Sequence, residues 1–185
     1  MNREGPMRLR VYEPGDLEVV FALVARTIET SYAGVYGPTA IAHFHEHHTR
    51  DEVRRAGEEG CTVLLERDGR LLATGTLVGD HVDRVYVAPE HQGRGLGRRV
   101  MAALEQRARE AGVWTIRLAA SIPARVFYER LGYRLMSEER HDFPDGDCLP
   151  WFKMVKDLGP DAAEVPSPPP SASSDEGLEW LVEES

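Results

Sequence analysis

Three glycines alternate with other residues in the segment Pro89–Arg99, which reads PEHQGRGLGRR. An apolar segment precedes it and a helical pattern of apolar residues follows it, so the glycines lie where a strand gives way to a helix. Glycine has no Cβ and adopts positive φ readily, so successive backbone N–H groups can converge on one point. The positive end of the helix macrodipole and the side chains of Arg94, Arg98 and Arg99 add to the attraction. The segment therefore predicts an anion-binding site.

The spacing of these glycines excludes two common phosphate-binding loops. A dinucleotide-binding loop has the pattern G-x-G-x-x-G after a first strand, whereas this chain has G-x-G-x-G after its fourth predicted strand. A nucleoside-triphosphate loop ends in Gly-Lys-Ser/Thr, and the chain does not contain that sequence. The predicted anion is therefore part of another kind of phosphate carrier.

The periodicity of apolar residues predicts a mixed α/β chain with the order β-α-α-β-β-β-α-β-α-β-β. Apolar residues at spacings of three and four predict a first helix to about Ser31 and a second over about 38–56. Apolar runs bounded by turn residues predict the strands. The predicted strands cover about 7–12, 61–66, 71–78, 82–87, 114–119, 133–137 and 151–156, and two further helices cover about 97–112 and 123–131.

The formal net charge of −9 is concentrated at the end of the chain. Residues 159–185 contain seven acidic residues and no Lys or Arg, so residues 1–158 are nearly neutral. This balance, without a basic aromatic surface, predicts no nucleic-acid partner. We expect a globular domain over 1–158, a Pro/Ser-rich linker over 159–174, and an acidic tail over 175–185 that could form a short helix.

The two cysteines, Cys61 and Cys148, are far apart and have neither a disulfide pattern nor zinc-ligand spacing. The histidine-rich run 43–48 lacks the H-E-x-x-H zinc motif because position 49 is Thr, so we expect no metal. No apolar run approaches the roughly 20 residues of a membrane span, and the N-terminus does not resemble a secretory signal. We therefore expect a cytoplasmic protein without a membrane partner.

Two segments together resemble the signatures of the GNAT acetyltransferase superfamily. The first is Val-Tyr-Val-Ala-Pro at 85–89 followed by QGRGLG at 92–97, which is similar to Q/R-x-x-G-x-G/A. The second is ARVFYERLGY at 124–133, which is similar to A-x-x-F-Y-E-K-L-G-F. The helix and strand between the two segments also match the family, and the resemblance extends over about residues 7–158.

The resemblance implies an α/β (α+β) fold with a mixed, mostly antiparallel sheet of six to seven strands. This sheet would splay between strands 4 and 5 and be flanked by about four helices. The implied co-substrate is acetyl-CoA, from which an acetyl group passes directly to a primary amine in a ternary complex. The acceptor would be a small molecule or a protein, and a homodimer is one candidate assembly. The residues implied to bind acetyl-CoA are Val85, Tyr86, Val87, Gln92, Gly93, Arg94, Gly95, Leu96, Gly97 and Arg98.

The resemblance assigns the role of general acid to Tyr128, whose phenol would supply a proton to the leaving thiolate. Strand N–H groups near Val87 would stabilise the negative charge that develops on the acetyl oxygen. The general base is not assigned, because Ile116 stands where some relatives carry a glutamate. Asp83 is a candidate base, with His81 as an alternative.

The first two helices flank the acceptor channel in proteins of this kind. Tyr32, Tyr36 and Glu46 are therefore candidates for the wall of the acceptor site, and Glu46 is also an alternative base. A second function stays open, in which the domain binds acyl-CoA as a non-catalytic sensor or regulatory module. The absence of a glutamate at Ile116 favours this alternative, whereas Tyr128 argues against it.

Overall fold

A computed structural model describes residues 5–159 of the chain, which form one seven-stranded sheet and five α-helices. Residues 160–185, with nearly all of the predicted linker and the whole predicted tail, lie outside the described residues. The strands are β1 (Arg8–Val11), β2 (Cys61–Arg67), β3 (Arg70–Val78), β4 (His81–Val87), β5 (Thr115–Ser121), β6 (Arg134–Asp142) and β7 (Cys148–Asp157). The helices are α1 (Leu17–Ser31), α2 (Pro38–His47), α3 (Arg50–Glu59), α4 (Leu96–Glu110) and α5 (Arg125–Arg130).

The sheet has the strand order β1-β2-β3-β4-β5-β7-β6. Every neighbouring pair is antiparallel except β4 and β5, which run parallel. The parallel pairing covers only His81 with Arg117 and Val82 with Leu118, although both strands continue beyond these positions. The predicted fold class is therefore confirmed, including the splay between the fourth and fifth strands.

A β-bulge lies where β4 leaves β5. Arg84 and Val85 together oppose Gly75 alone on β3, and Arg84 has φ 51°, in the left-handed region that non-glycine residues seldom occupy. A Cβ added to Gly75 would lie 2.6 Å from a methyl carbon of Val100. Glycine at this position therefore lets α4 pack closely over the bulge.

Helices cover both faces of the sheet. Val63 and Leu65 of β2 pack in the cluster that contains α4, whereas Leu64 between them packs with α1 on the opposite face. The predicted apolar stripe of α4 is confirmed as buried. Its members are Val100, Met101, Leu104 and Ala108.

The prediction of a single second helix over about 38–56 was wrong, because the structure has two helices, α2 and α3, in this region. Thr49 has an extended backbone with φ −68° and ψ 166°, and its hydroxyl accepts the N–H of Glu52 at 3.3 Å. This hydrogen bond caps the start of α3. The break between the helices places His48 in the protein interior.

Within residues 5–159 no helix has the length and hydropathy needed to cross a membrane. Cys61 and Cys148 are both free thiols. The cytoplasmic location stays a prediction.

Candidate active site

The glycine segment forms the turn between β4 and α4. Gly93 and Gly95 have φ values of 73° and 78°, a conformation that favours glycine. The N–H of Arg99 donates to the carbonyl of Gly95, and no side chain caps this end of α4. The N–H groups of residues 96–98 therefore have no partner within the helix. Together with the helix dipole they form a site suited to an anion.

A groove of about 550 Å³ lies between the separated ends of β4 and β5. The glycine turn, α5 and the end of α1 complete its walls. Nine of the ten residues predicted to bind the co-substrate line this groove. The exception is Arg94, whose side chain is exposed and does not line the groove.

The side chain of Gln92 joins the glycine turn to its neighbours. Its amide nitrogen donates to the carbonyl of Val87 at 3.1 Å and to the hydroxyl of Ser31 at 2.9 Å. The N–H of Ala88 donates to Leu72 on β3, so the alternation of an antiparallel ladder directs the N–H of Val87 to the opposite, open side of β4. The open edge of β4 thus presents an unpaired donor beside the groove.

The helix α5 approaches α4 closely at Gly97. A Cβ at that position would lie 3.0 Å from the ring of Phe127, which in turn packs on Tyr128 with ring centroids 5.0 Å apart. Tyr128 is buried and lines the groove, and its hydroxyl has no hydrogen-bond partner among the described residues. Burial, with smaller contributions from Tyr32 and Asp83, raises the pKa of Tyr128 far above that of a free phenol. The hydroxyl is therefore protonated at neutral pH and available as a donor.

A second, smaller cavity of about 70 Å³ adjoins the groove. It lies among β4, β5, β7 and the C-terminal ends of α1 and α2. Tyr128 lines both cavities and therefore lies where they adjoin. The residues common to both cavities are Tyr32, Val85, Tyr86, Ser121, Ala124 and Tyr128.

Asp83, the candidate base, lines the second cavity but is paired with Arg84. One carboxylate oxygen accepts the backbone N–H of Arg84 at 2.7 Å, and the other pairs with its guanidinium group. Burial alone would raise the pKa of Asp83, but the charge of Arg84 and the hydrogen bond from its backbone N–H oppose burial, and the pKa is lowered. The lowered pKa makes Asp83 a weaker base than a free carboxylate, and its role as base stays a prediction.

His48 lies in the same cavity and was missed by the sequence analysis. Its side chain is buried, and its Nε2 is 2.8 Å from the hydroxyl of Tyr86. Burial lowers the pKa of His48 to about 4, so the ring is neutral at neutral pH. The sequence signal was the capping pattern T-R-D-E at 49–52, which marks the helix start that turns His48 inward.

The structure separates the three residues that were predicted to form the acceptor wall. Tyr32 lines both cavities. Tyr36 lines neither, because its hydroxyl accepts the N–H of Ile122 at 2.7 Å and donates to the carbonyl of Pro150 at 3.2 Å. Glu46 also lies outside both cavities, with a side chain that is 74% exposed. Tyr36 therefore lies outside the cavity lining and bonds to the backbone of residues 122 and 150.

The histidines of α2 contact one another without forming a metal centre. The rings of His43 and His47 have centroids 4.1 Å apart, and the ring of His141 on β6 stacks on His43 at 5.8 Å. Over residues 5–159 no group of three or more His, Cys, Asp or Glu side chains could hold a metal ion.

The family model described as "Acetyltransferase (GNAT) domain" matches residues 32–158, which is more than half of the chain. The N-acetyltransferase YjcF of Bacillus subtilis is 36% identical over 76 residues, a match that covers 41% of this chain and only 52% of YjcF. The glucosamine 6-phosphate N-acetyltransferase of Trypanosoma brucei brucei is 28% identical over 140 residues, covering 69% of this chain and 89% of that protein.

Solved structures share the fold. A GCN5-related N-acetyltransferase from Rhodopseudomonas palustris has a TM-score of 0.73 and 26% identity, with 85% of this chain and 99% of that chain covered. The PaiA N-acetyltransferase of Thermoplasma acidophilum, solved in complex with coenzyme A, has a TM-score of 0.65 and 17% identity. That match covers 82% of this chain and 99% of the Thermoplasma chain.

The low pKa of His48 predicts that acid destabilises the protein. Below about pH 6.5 the unfolded chain protonates this histidine while the folded chain does not, so stability falls as pH decreases toward 4. His48 accounts for about 2 kcal/mol of the stability lost between pH 7 and 5. Urea unfolding at both pH values measures this loss, which should be smaller by about that amount in His48→Gln.

His45→Gln provides the control, because His45 lies on α2 with a side chain that is 35% exposed. This variant should keep the loss of stability that His48 contributes between pH 7 and 5. An equal loss of stability in the wild type and in His48→Gln would contradict the burial of a neutral His48.

Proposed function

The chain belongs to the GNAT acetyltransferase family, and from that premise we propose that it transfers an acetyl group from acetyl-CoA to a primary amine within a ternary complex. The observation that carries this proposal is the junction of two cavities at Tyr128, in the gap where β4 separates from β5. The larger cavity would hold the co-substrate and the smaller one the amine. A cytoplasmic location and a homodimer stay predictions.

The groove fits a long molecule with an anionic segment. The unpaired N–H groups of residues 96–98 would hold the pyrophosphate of acetyl-CoA, and Arg98 at the same end of the groove adds a positive charge. The positive φ of Gly93 and Gly95 brings the backbone close to the anion without an intervening side chain. The open edge of Val85–Val87 would pair with the amide groups of the pantetheine arm. Acetyl-CoA supplies the activated thioester.

The chain's own groups would perform three tasks. The N–H of Val87 donates a hydrogen bond to the acetyl oxygen as negative charge develops there. Tyr128 gives its hydroxyl proton to the sulfur as the C–S bond breaks and the C–N bond forms. Asp83, or a water beside it, takes the proton that the amine loses, and a proton from solvent restores the Tyr128 hydroxyl.

The acceptor is a primary amine of a small molecule or a protein. The cavity of about 70 Å³ and the similarity to a glucosamine 6-phosphate N-acetyltransferase support a small molecule. Release of free thiol from acetyl-CoA over a panel of aminoglycosides, polyamines, amino acids and peptides tests the proposal. The alternative of a non-catalytic acyl-CoA-binding module stays open because neither position supplies a free carboxylate as base. Ile116 is fully buried in the core, and Asp83 is paired with Arg84. Tight binding of CoA without turnover of any amine would favour that alternative.

Replacement of Tyr128 by phenylalanine tests the general acid. Tyr128→Phe retains the ring and removes the proton donor, so kcat should fall by about 100-fold while the KM for acetyl-CoA changes little. Steady-state thiol release measures both constants. Tyr12→Phe is a matched control, because Tyr12 is a buried tyrosine whose hydroxyl has no partner among the described residues and because it lines neither cavity. An unchanged kcat in Tyr128→Phe would remove Tyr128 from this role.

Two adjacent arginines test the anion site. Arg98 lines the groove, whereas Arg99 does not and approaches the sulfur of Met7 instead. Arg98→Ala should raise the dissociation constant for CoA by about tenfold, because a charge-assisted contact to phosphate is lost. Arg99→Ala should bind CoA as the wild type does. Calorimetric titration with CoA measures the dissociation constant of both variants. An equal loss of CoA affinity in the two variants would mean that the arginines contribute only their net charge.

A further inference from the structure

Unpaired polar atoms are concentrated around the second cavity. Among residues 5–159, six buried side-chain nitrogen or oxygen atoms have no hydrogen-bond partner. Four of them belong to residues that line this cavity, namely Nδ1 of His48, Nε of Arg84, Oγ of Ser121 and Nε1 of Trp151. Each such group costs about 1–3 kcal/mol when it is left without a partner. Their concentration in one place makes this cavity the place where a bound molecule could supply the missing partners.

The hydrogen-bonding capacity of these atoms indicates which polar groups the ligand must carry. The indole N–H of Trp151 and the Nε–H of Arg84 can only donate hydrogen bonds, whereas the Ser121 hydroxyl and the His48 ring can donate or accept. Asp83 is the only carboxylate among the described residues that line the cavity, and Arg84 engages both of its oxygens. Two of the four unpaired atoms can therefore be satisfied only by an acceptor on the ligand.

Trp151 is held in a fixed position. It is 5% exposed and packs in a cluster with Tyr36, Ala40 and Leu149. The indole N–H is buried and has no hydrogen-bond partner among the described residues. A ligand oxygen in the cavity is then the available acceptor, and Phe44 and Leu149 provide apolar walls around it.

We propose that the acceptor is a compact primary amine whose other polar atoms are hydrogen-bond-accepting oxygens, of a hydroxyl, carboxylate or phosphate group, and that Trp151 selects for them. This inference rests on the proposed acetyl transfer and narrows its acceptor. An alkylamine leaves the donors unpaired, and a protonated polyamine adds further donors. Both are therefore disfavoured, because the buried N–H groups would stay without partners.

A panel of 2-substituted ethylamines tests the inference with one scaffold. Ethanolamine, β-alanine and O-phosphoethanolamine carry a hydroxyl, a carboxylate and a phosphate, whereas n-propylamine and ethylenediamine carry a methyl and a second amine. Dissociation constants are measured by calorimetry on the full chain, with and without saturating CoA. Each constant is expressed as a concentration of neutral amine, so that the five amines can be compared. At least one oxygen-bearing amine should bind about tenfold or more tightly than both of the others, and the tightest of the three identifies the oxygen group.

Two Trp→Phe variants assign the selectivity. Trp151→Phe keeps an aromatic ring and removes the N–H, so the preference for the oxygen-bearing amine should fall to less than about threefold. Trp114→Phe is the matched control, because Trp114 is 51% exposed and lines neither cavity, and the preference should be retained. Melting temperatures confirm that both variants are folded. The amine panel on the wild-type protein tests the inferred amine class independently of either variant.

The outcomes separate this inference from the proposed function. Failure of CoA to bind would overturn the assigned co-substrate, while the amine titrations without CoA would still report the preference. Equal or tighter binding of n-propylamine or ethylenediamine would overturn the inferred amine class. Full selectivity in Trp151→Phe would overturn the role of Trp151.

Discussion

Beyond Val82 the backbones of β4 and β5 no longer pair, and both cavities lie in the resulting gap. Parallel strands normally continue their hydrogen bonds along their shared length. Here the bulge at Arg84 and Val85 turns β4 aside, and the left-handed backbone of Arg84 is part of that turn. The open edge of β4, the exposed start of α4 and the position of Tyr128 all depend on this separation.

The same bulge determines the electrostatics of the smaller cavity. It places the Arg84 guanidinium beside Asp83, within 3.6 Å of Glu52 and almost out of solvent. A charge this deeply buried requires partners, and the two carboxylates provide them. The pair leaves the Nε of Arg84 unsatisfied, so the strained residue contributes both to the shape of the gap and to the donors that line it.

The sequence predicted the elements whose signals are local. The glycine turn required positive φ at Gly93 and Gly95, and the stripe of α4 follows from spacing alone. The strand β6 was predicted too short because its second half carries charged residues at the edge of the sheet, where no apolar alternation is needed. The break before α3 had a local signal in the capping pattern at 49–52, which the long helical periodicity obscured.

The part of the co-substrate groove formed by β4 and the glycine turn was predictable, because these residues are close in the sequence and resemble a family signature. The acceptor cavity was not, because tertiary contacts bring its parts together. Tyr36 bonds to residues 122 and 150, and His48 reaches Tyr86 across a helix break. Arginine also gives no local indication of a left-handed backbone, so the bulge at Arg84 could not be read from the residue type.

In the proposed reaction, co-substrate and amine occupy adjoining cavities at the same time. Initial velocities measured over a grid of acetyl-CoA and amine concentrations, with the amine that gives the highest turnover, test it most directly. We expect double-reciprocal lines that intersect, because both molecules bind before the acetyl group moves. Parallel lines, which indicate an acetylated enzyme and release of CoA before the amine binds, would contradict it.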